Sequence, residues 1–328
     1  MVHNTLPSEV LMQTYDLNVG LVLNDEELQN LTLLEIEMIL QTNRRTLKDF
    51  CLTPYPNGYV LEQLGNQLIY DERNYDVAQL KTEFTNMFAS LTGEQNIIFN
   101  KIINVVTTQK GGVFFLHGNG GMGKTFMWKT LASYLRSKHQ IVITIASSGI
   151  ASLLLPGGRT AHSKFKILVP TLENIICNIE PKDDLAKMMR QTQLIIWDEA
   201  PMAHKHYFEA LDRKLRDIMG NNPNSNSIFG CKVIVFGGDF RQILPVVPRG
   251  TRSDIVHSSL NASYIWNDCE VLTLTRNTRL QSGSNPTECL EVEQFSKWLL
   301  NIGEGKLLEP NDGYVEFDIP SEILILNY

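Results

Sequence analysis

At 328 residues, 43% hydrophobic and 20% charged, the chain has room for about two domains and enough apolar mass for ordinary buried cores. Its net charge of −7 is spread unevenly: residues 1–90 carry 13 acids against 5 bases, which leaves the rest close to neutral, so charge neither requires nor excludes a polyanionic partner. No apolar run reaches the roughly 18 residues of a membrane span, and five widely spaced cysteines (Cys51, Cys177, Cys231, Cys269, Cys289) without a C-x-x-C pair indicate neither disulfides nor zinc.

Residues 1–24 show little periodicity. Asp25 to Leu40 reads as a helix with acids in its first turn, Pro54, Pro56, Asn57 and Gly58 break the chain, and a second helix fits Val77 to Ala89 with Leu80, Phe84, Met87 and Phe88 on one stripe. Leu91-Thr92-Gly93-Glu94-Gln95 opens a third, whose buried face is Ile98, Ile102, Val105 and Val106. Thr92 and Gln95 have the spacing of a capping box; the Gln95 amide also suits an adenine edge, because it donates and accepts at once. Spacing alone leaves both readings of Gln95 open.

The apolar run Val113–Leu116 leads into Gly118-Asn119-Gly120-Gly121-Met122-Gly123-Lys124-Thr125, which is strand, glycine loop and helix start in the order a phosphate cradle needs. The glycines let backbone N–H groups turn toward one point, Lys124 adds positive charge over the phosphates, and the Thr125 hydroxyl can ligate Mg²⁺. Gly118, Gly120 and Gly123 also satisfy the dinucleotide-binding pattern, but that pattern wants a carboxylate at the tip of the next strand. The next strand, Ile141 to Ala146, ends in Ser147-Ser148-Gly149, so a nucleoside triphosphate is the preferred ligand.

Beyond the turn Pro156-Gly157-Gly158 lie Thr160 and His162, which with Ser147 and Ser148 suit contacts to phosphate and sugar. Residues 164–190 are mixed and read as a small insertion. Leu194-Ile195-Ile196-Trp197 then delivers Asp198-Glu199 to a strand tip, where an open α/β sheet puts its chemistry: Asp198 to hold Mg²⁺ through water, Glu199 to take a proton from the attacking water. An amphipathic helix, Tyr207 to Met219, and the strand Val233–Phe236 lead to Gly237-Gly238-Asp239-Phe240-Arg241-Gln242, in which Gln242 can sense a γ-phosphate. One more strand, Val271 to Leu274, precedes Arg279, which by pattern is equally an arginine finger or a surface charge.

Taken together, T-G-E-Q at 92–95, G-N-G-G-M-G-K-T at 118–125, A-S-S-G-I-A-S at 146–152, W-D-E-A at 197–200, G-G-D-F-R-Q-I-L-P at 237–245 and L-T-R-N-T-R-L at 274–280 resemble the Pif-type (petite integration frequency) DNA helicases. The similarity extends upstream to Leu-Lys-Asp-Phe (47–50) and Leu-Gly-Asn-Gln-Leu-Ile-Tyr-Asp-Glu (64–72), as in the eukaryotic Helitron-type branch. The resemblance implies a superfamily-one motor that hydrolyses ATP with Mg²⁺ and moves 5′ to 3′ on single-stranded DNA toward duplex junctions, in repair, recombination, telomere maintenance or Helitron transposition. It implies a P-loop NTPase of α/β class with a RecA-like parallel sheet and helices on both faces. The expected layout is a mainly helical N-terminal extension over 1–90, a first motor lobe over 91–270, and the start of a truncated second lobe over 271–328.

Carried over by position, the resemblance assigns Gln95 to adenine and Gly118, Gly120, Gly121, Gly123, Lys124 and Thr125 to the phosphates, Thr125 with Asp198 also holding the metal. It assigns Glu199 to the hydrolytic water, Gln242 to γ-phosphate sensing, Arg279 to the arginine finger, and Ser147, Ser148, Thr160 and His162 to the DNA track. With neither a basic cap nor an apolar signal core at the N-terminus, cytosol or nucleus is the default location; the nucleus is expected, with the mitochondrion as the alternative, and a partner chain is expected to supply the missing motor lobe. With that lobe missing, the other expectation is a non-catalytic ATP- and DNA-binding remnant.

Overall fold

The computed structural model describes residues 66–169, 173–220, 225–277 and 286–303, with shorter stretches between 29 and 54 and residue 319. The chain divides into two units, Met1–Gln67 and Leu68–Tyr328. In the first, the described positions between 29 and 40 are helical, as expected for Asp25–Leu40, and buried Glu37 accepts a 2.6 Å hydrogen bond from the Leu47 amide. Residues 1–24, which showed little periodicity, lie outside the described residues.

From the unit boundary onward the chain runs through α1 (Gln67–Arg73), α2 (Val77–Ala89), α3 (Gly93–Thr108), β1 (Gly112–His117), α4 (Lys124–Arg136), β2 (Ile141–Ala146), α5 (Gly149–Leu153), β3 (Arg159–Thr160) and α6 (Ala161–Lys164). It continues with α7 (Asp184–Gln191), β4 (Thr192–Asp198), α8 (Lys205–Ile218), β5 (Val233–Gly238), α9 (Arg252–Ser258), β6 (Cys269–Thr273) and α10 (Pro286–Gly303). The six strands form one parallel sheet in the order β3-β2-β4-β5-β1-β6.

The period-two alternation of side chains splits each central strand between two layers. Val113 and Phe115, Ile141, Ile143 and Ile145, Ile195 and Trp197, and Ile234 and Phe236 face a core completed by α7 and α8. Phe114 and Leu116, Val142, Leu194 and Ile196, and Val233 and Val235 face a second core built on α3 and α4. Because the strands are buried on both faces, they read in sequence as continuous apolar runs, and helices cover both sides of the sheet as expected.

Three packing details bear on the expected layout. The N-terminal segment was expected to end at 90, yet Phe84 and Phe88 of α2 pack on Phe99 and Tyr134 with ring centroids 4.9–5.8 Å apart, so α2 is part of the second core. The stretch 164–190, expected as a small insertion, contributes to the first core: Phe165, Ile167, Cys177 and Ile179, together with Leu185, Ala186, Met188 and Met189 of α7, are buried in it. The third concerns the beginning of residues 271–328, expected as the start of a second lobe. β6 pairs in parallel with β1, Val113 opposite Cys269 through His117 opposite Thr273, so the strand completes the first sheet and satisfies what would otherwise be a bare β1 edge.

Candidate nucleotide site

Every sequence-predicted site residue that the structure describes sits at the carboxyl-terminal edge of the sheet or at the helix start beside it, where parallel sheets bind ligands. The loop leaving β1 turns on Gly121 (φ 87°) and Gly123 (φ 84°), both left-handed. Gly123 caps α4 without a side-chain hydrogen bond, so the first-turn N–H groups and the positive end of the helix dipole face outward from a 13-residue helix. Nothing lies within 4 Å of where a Gly120 Cβ would stand. Lys124 is 8% exposed and folds back over its own loop, its Nζ donating to Gly118 O at 2.5 Å and approaching Asn119 O at 3.4 Å. Thr125 follows at the second position of α4, half-buried.

Asp198 is the last residue of β4 and is 4% exposed. Glu199 takes a left-handed conformation (φ 51°, ψ 41°) that turns the chain into the short turn Ala200–Met202. Asp198 Oδ1 and Glu199 Oε2 are buried and have no hydrogen-bond partner among the described residues. Burial pushes the pKa of both carboxyls up; for Glu199 the neighbouring Asp198 adds to the rise, and for both the Lys124 ammonium offsets part of it. The Trp128 indole N–H offsets a further part for Asp198, although it closes no hydrogen bond of standard geometry. Buried orphan acceptors of this kind are a strain on the chain that a cation and its water would relieve.

The end of β5 is shaped by close approach. A Cβ on Gly237 would stand 2.2 Å from Trp128 Cζ2, and one on Gly238 (φ 154°) 2.3 Å from Pro201 Cδ, so the two glycines let β5 press against α4 and the turn after Glu199. Asp239 then accepts from the Arg241 backbone N–H at 3.0 Å and from its Nε at 3.3 Å, and Arg241 Nη2 reaches Asn119 Oδ1 at 2.5 Å. This bridge from β5 to the phosphate loop has no sequence signature beyond the i, i+2 spacing of acid and base. Gln242 is exposed, with its backbone N–H on Asp239 O.

At the tips of β2 and β3 the four hydroxyl and imidazole residues divide. Ser147 Oγ accepts from Trp197 Nε1 at 2.9 Å and Ser148 caps α5 through Ala151 N at 3.2 Å, so both hold the strand tip in place. Thr160 Oγ1 and His162 Nε2 lie 3.3 Å apart, with His162 exposed and Thr160 half-buried.

Gln95 makes the capping box: its Oε1 accepts from Thr92 N at 3.0 Å and Thr92 Oγ1 accepts from Gln95 N at 3.3 Å, while Nε2 points at Met122 O, 3.4 Å away, in the phosphate loop. The cap reading is therefore the one this geometry displays, and it sets the amide beside the nucleotide loop. Sequence reasoning passed over Glu94, whose two carboxylate oxygens accept from Thr275 N and Thr275 Oγ1, each at 3.0 Å. Arg279 lies outside the described residues.

The PIF1-like helicase family matches residues 90–313. The chain is 30% identical over 241 residues to the ATP-dependent DNA helicase RRM3 of Saccharomyces cerevisiae, covering 71% of this chain and 31% of that protein. It is 31% identical over 235 residues to the ATP-dependent DNA helicase PIF1 of Candida albicans, covering 69% of this chain and 24% of that one. Among solved structures, the Pif1 helicase from Bacteroides in complex with ADP-AlF3 and single-stranded DNA superposes with a TM-score of 0.52 at 25% identity, over 66% of this chain and 47% of the other. The chain thus spans a quarter to a third of the length of these curated relatives. With the family match running from the capping box of α3 through the whole sheet, the chain belongs to the PIF1-like helicase family.

Proposed function

We propose that this chain carries the ATP-hydrolysing lobe of a DNA helicase, which couples hydrolysis to 5′-to-3′ movement along single-stranded DNA and to opening of duplex junctions. The carrying observation is a buried lysine at the start of α4 whose charge acts on two carboxyls with orphaned oxygens at the tip of β4. That arrangement fits ATP and Mg²⁺: an outward-facing helix N-terminus and an open Gly120 for the phosphates, and buried acceptors for a hydrated cation.

Thr125 and Asp198 would hold the metal, which supplies neutralisation of phosphate charge when bound. Lys124 exchanges the Gly118 carbonyl for phosphate oxygens, an exchange that gives its buried charge a better partner. Glu199, with its pKa raised toward the working range of a general base, takes the proton of the attacking water. Gln95 stays at the base side of the loop, exposed Gln242 senses the γ-phosphate, and Arg279 acts as the arginine finger. Thr160 and His162 meet the DNA backbone, with Ser147 and Ser148 shaping the strand tip beneath them. A second RecA-like lobe, from a longer form of the chain or from a partner chain, closes over the nucleotide.

The test is ATP hydrolysis by the purified chain with and without single-stranded DNA, beside Glu199→Gln. DNA-stimulated turnover that Glu199→Gln abolishes, with nucleotide binding retained, supports the reading. Turnover indifferent to DNA contradicts it, and nucleotide binding without turnover makes the chain a binding module.

A further inference from the structure

We infer that Glu94 is a positioning residue: it ties the segment leaving β6 across the phosphate loop, and so acts on hydrolysis through that segment rather than on nucleotide binding. The inference rests on the reading of Arg279 as the arginine finger.

The segment is held at successive residues. Leu274 N donates to His117 O at 2.8 Å, continuing the β6–β1 ladder by one bond, and the buried Leu274 side chain lies against Gly118, where an added Cβ would stand 3.3 Å from it. Thr275 is gripped through both its backbone N–H and its hydroxyl, each 3.0 Å from a different oxygen of Glu94. Asn277 Nδ2 stands 3.5 Å from the carbonyl of Gly120. The chain leaving the sheet therefore runs over the glycine loop.

The clamp comes from one helix. Glu94 is the second residue of α3, beside Gln95, whose amide points at the Met122 carbonyl of the same loop. One turn thus touches both the phosphate loop and the segment that crosses it. A carboxylate there is favoured by the helix dipole, and charge-assisted bonds to Thr275 engage both of its oxygens. A second tie, Lys101 of α3 to Glu270 of β6, holds the two elements together further down. Arg279 follows Thr275 by four residues in the sequence, a backbone span of at most about 14 Å, so a tie at Thr275 fixes the near end of the chain that leads to it.

The experiment pairs amide hydrogen exchange at Thr275 with ATPase kinetics on the full chain, for wild type, Glu94→Ala, Glu94→Gln, Arg279→Ala and Glu94→Ala/Arg279→Ala. Glu94→Ala is expected to speed exchange at Thr275 and to lower kcat by about 10- to 100-fold, as misplaced catalytic groups do. KM for ATP and the affinity for a fluorescent ADP analogue should stay within about two-fold, because ground-state binding is untouched. Glu94→Gln, which keeps acceptor oxygen, should fall between. In the Arg279→Ala background Glu94→Ala should do nothing further, because both act through one segment. Unchanged exchange at Thr275, a raised KM with kcat intact, or additive losses overturn the proposal. If Arg279→Ala alone leaves kcat unchanged, or the wild type hydrolyses no ATP, the reading of Arg279 or of the function fails, and the exchange result still decides the clamp.

Discussion

Gly237→Ala should destabilise the lobe and disturb the nucleotide site together, from one methyl group. The added Cβ would stand 2.2 Å from Trp128 Cζ2, whereas ordinary contact begins near 3.4 Å. Neither side has room to give. Trp128 is fully buried in the second core, and Gly237 is paired opposite Leu116 in the central β1–β5 ladder. Relief therefore requires α4 or β5 to shift by about 1 Å, the kind of overpacking that costs typically 1–3 kcal/mol, and the depth of this overlap puts it near 3. For a domain of this size that is a fall in Tm of about 6–12 °C. Because α4 carries Lys124 at its start, the same shift should weaken nucleotide binding. The assay is a thermal melt followed by titration with a fluorescent ATP analogue. Gly120→Ala is the control: its methyl meets nothing within 4 Å, so Tm should stay within about 1–2 °C of wild type while the phosphates lose their close approach and affinity drops. A Gly237→Ala protein that melts within a degree of wild type would refute the close-packing argument.

Glu199→Gln should raise the stability of the nucleotide-free chain at neutral pH. Burial and Asp198 raise the Glu199 pKa above its ordinary 4.5, so the folded chain holds that proton more tightly than the unfolded one, and the wild type loses stability as pH rises through the folded value. The gain from Gln should be present at pH 7 and shrink as pH falls toward 4.5; melts across that range check it, and a gain that grows on acidification contradicts it. Glu72→Ala should lower Tm by about 6–12 °C, corresponding to about 3 kcal/mol, since it strips the counter-ion 3.3 Å from an Arg136 side chain that is 1% exposed. Hydrogen bonds from Arg136 to Pro156 O and Val142 O, and the Tyr75 ring 4.6 Å away, keep the loss from being larger; no shift in the melt would mean that these suffice alone.

Much of the site is legible in the sequence because its chemistry is local. The phosphate loop is eight consecutive residues, and Asp198-Glu199 sits at the end of an apolar run whose length and composition announce a buried strand. What is not legible depends on distance along the chain. Glu94 meets Thr275 across 181 positions, and nothing in T-G-E-Q distinguishes a clamp from an ordinary acid in a first helical turn. β6 is a five-residue edge strand with one buried residue, too weak a pattern to say which sheet it joins; only the β1 pairing decides that it completes the first lobe. Helix α7 is hidden in the mixed stretch 164–190 because its eight residues carry Lys187 and Arg190 beside the buried Leu185, Met188 and Met189. In the sequence the glycines of 237–238 only lead toward Gln242, whereas in the fold their absent side chains are what let Trp128 and Pro201 close in.

The account stands most directly on Lys124 as the phosphate-binding cation of a preformed site. Titration of the chain with a fluorescent ATP analogue and Mg²⁺, wild type beside Lys124→Ala, tests it. The account predicts saturable binding by the wild type and a loss of at least about 100-fold in the variant, the scale of about 3 kcal/mol for a charge-assisted contact. Thermal melts of the two should meanwhile show a folded variant with at most a modest loss, because among the described residues the lysine's hydrogen bonds go to carbonyls of its own loop, while its charge faces buried Asp198 and Glu199. Equal affinity in the folded variant would contradict the account.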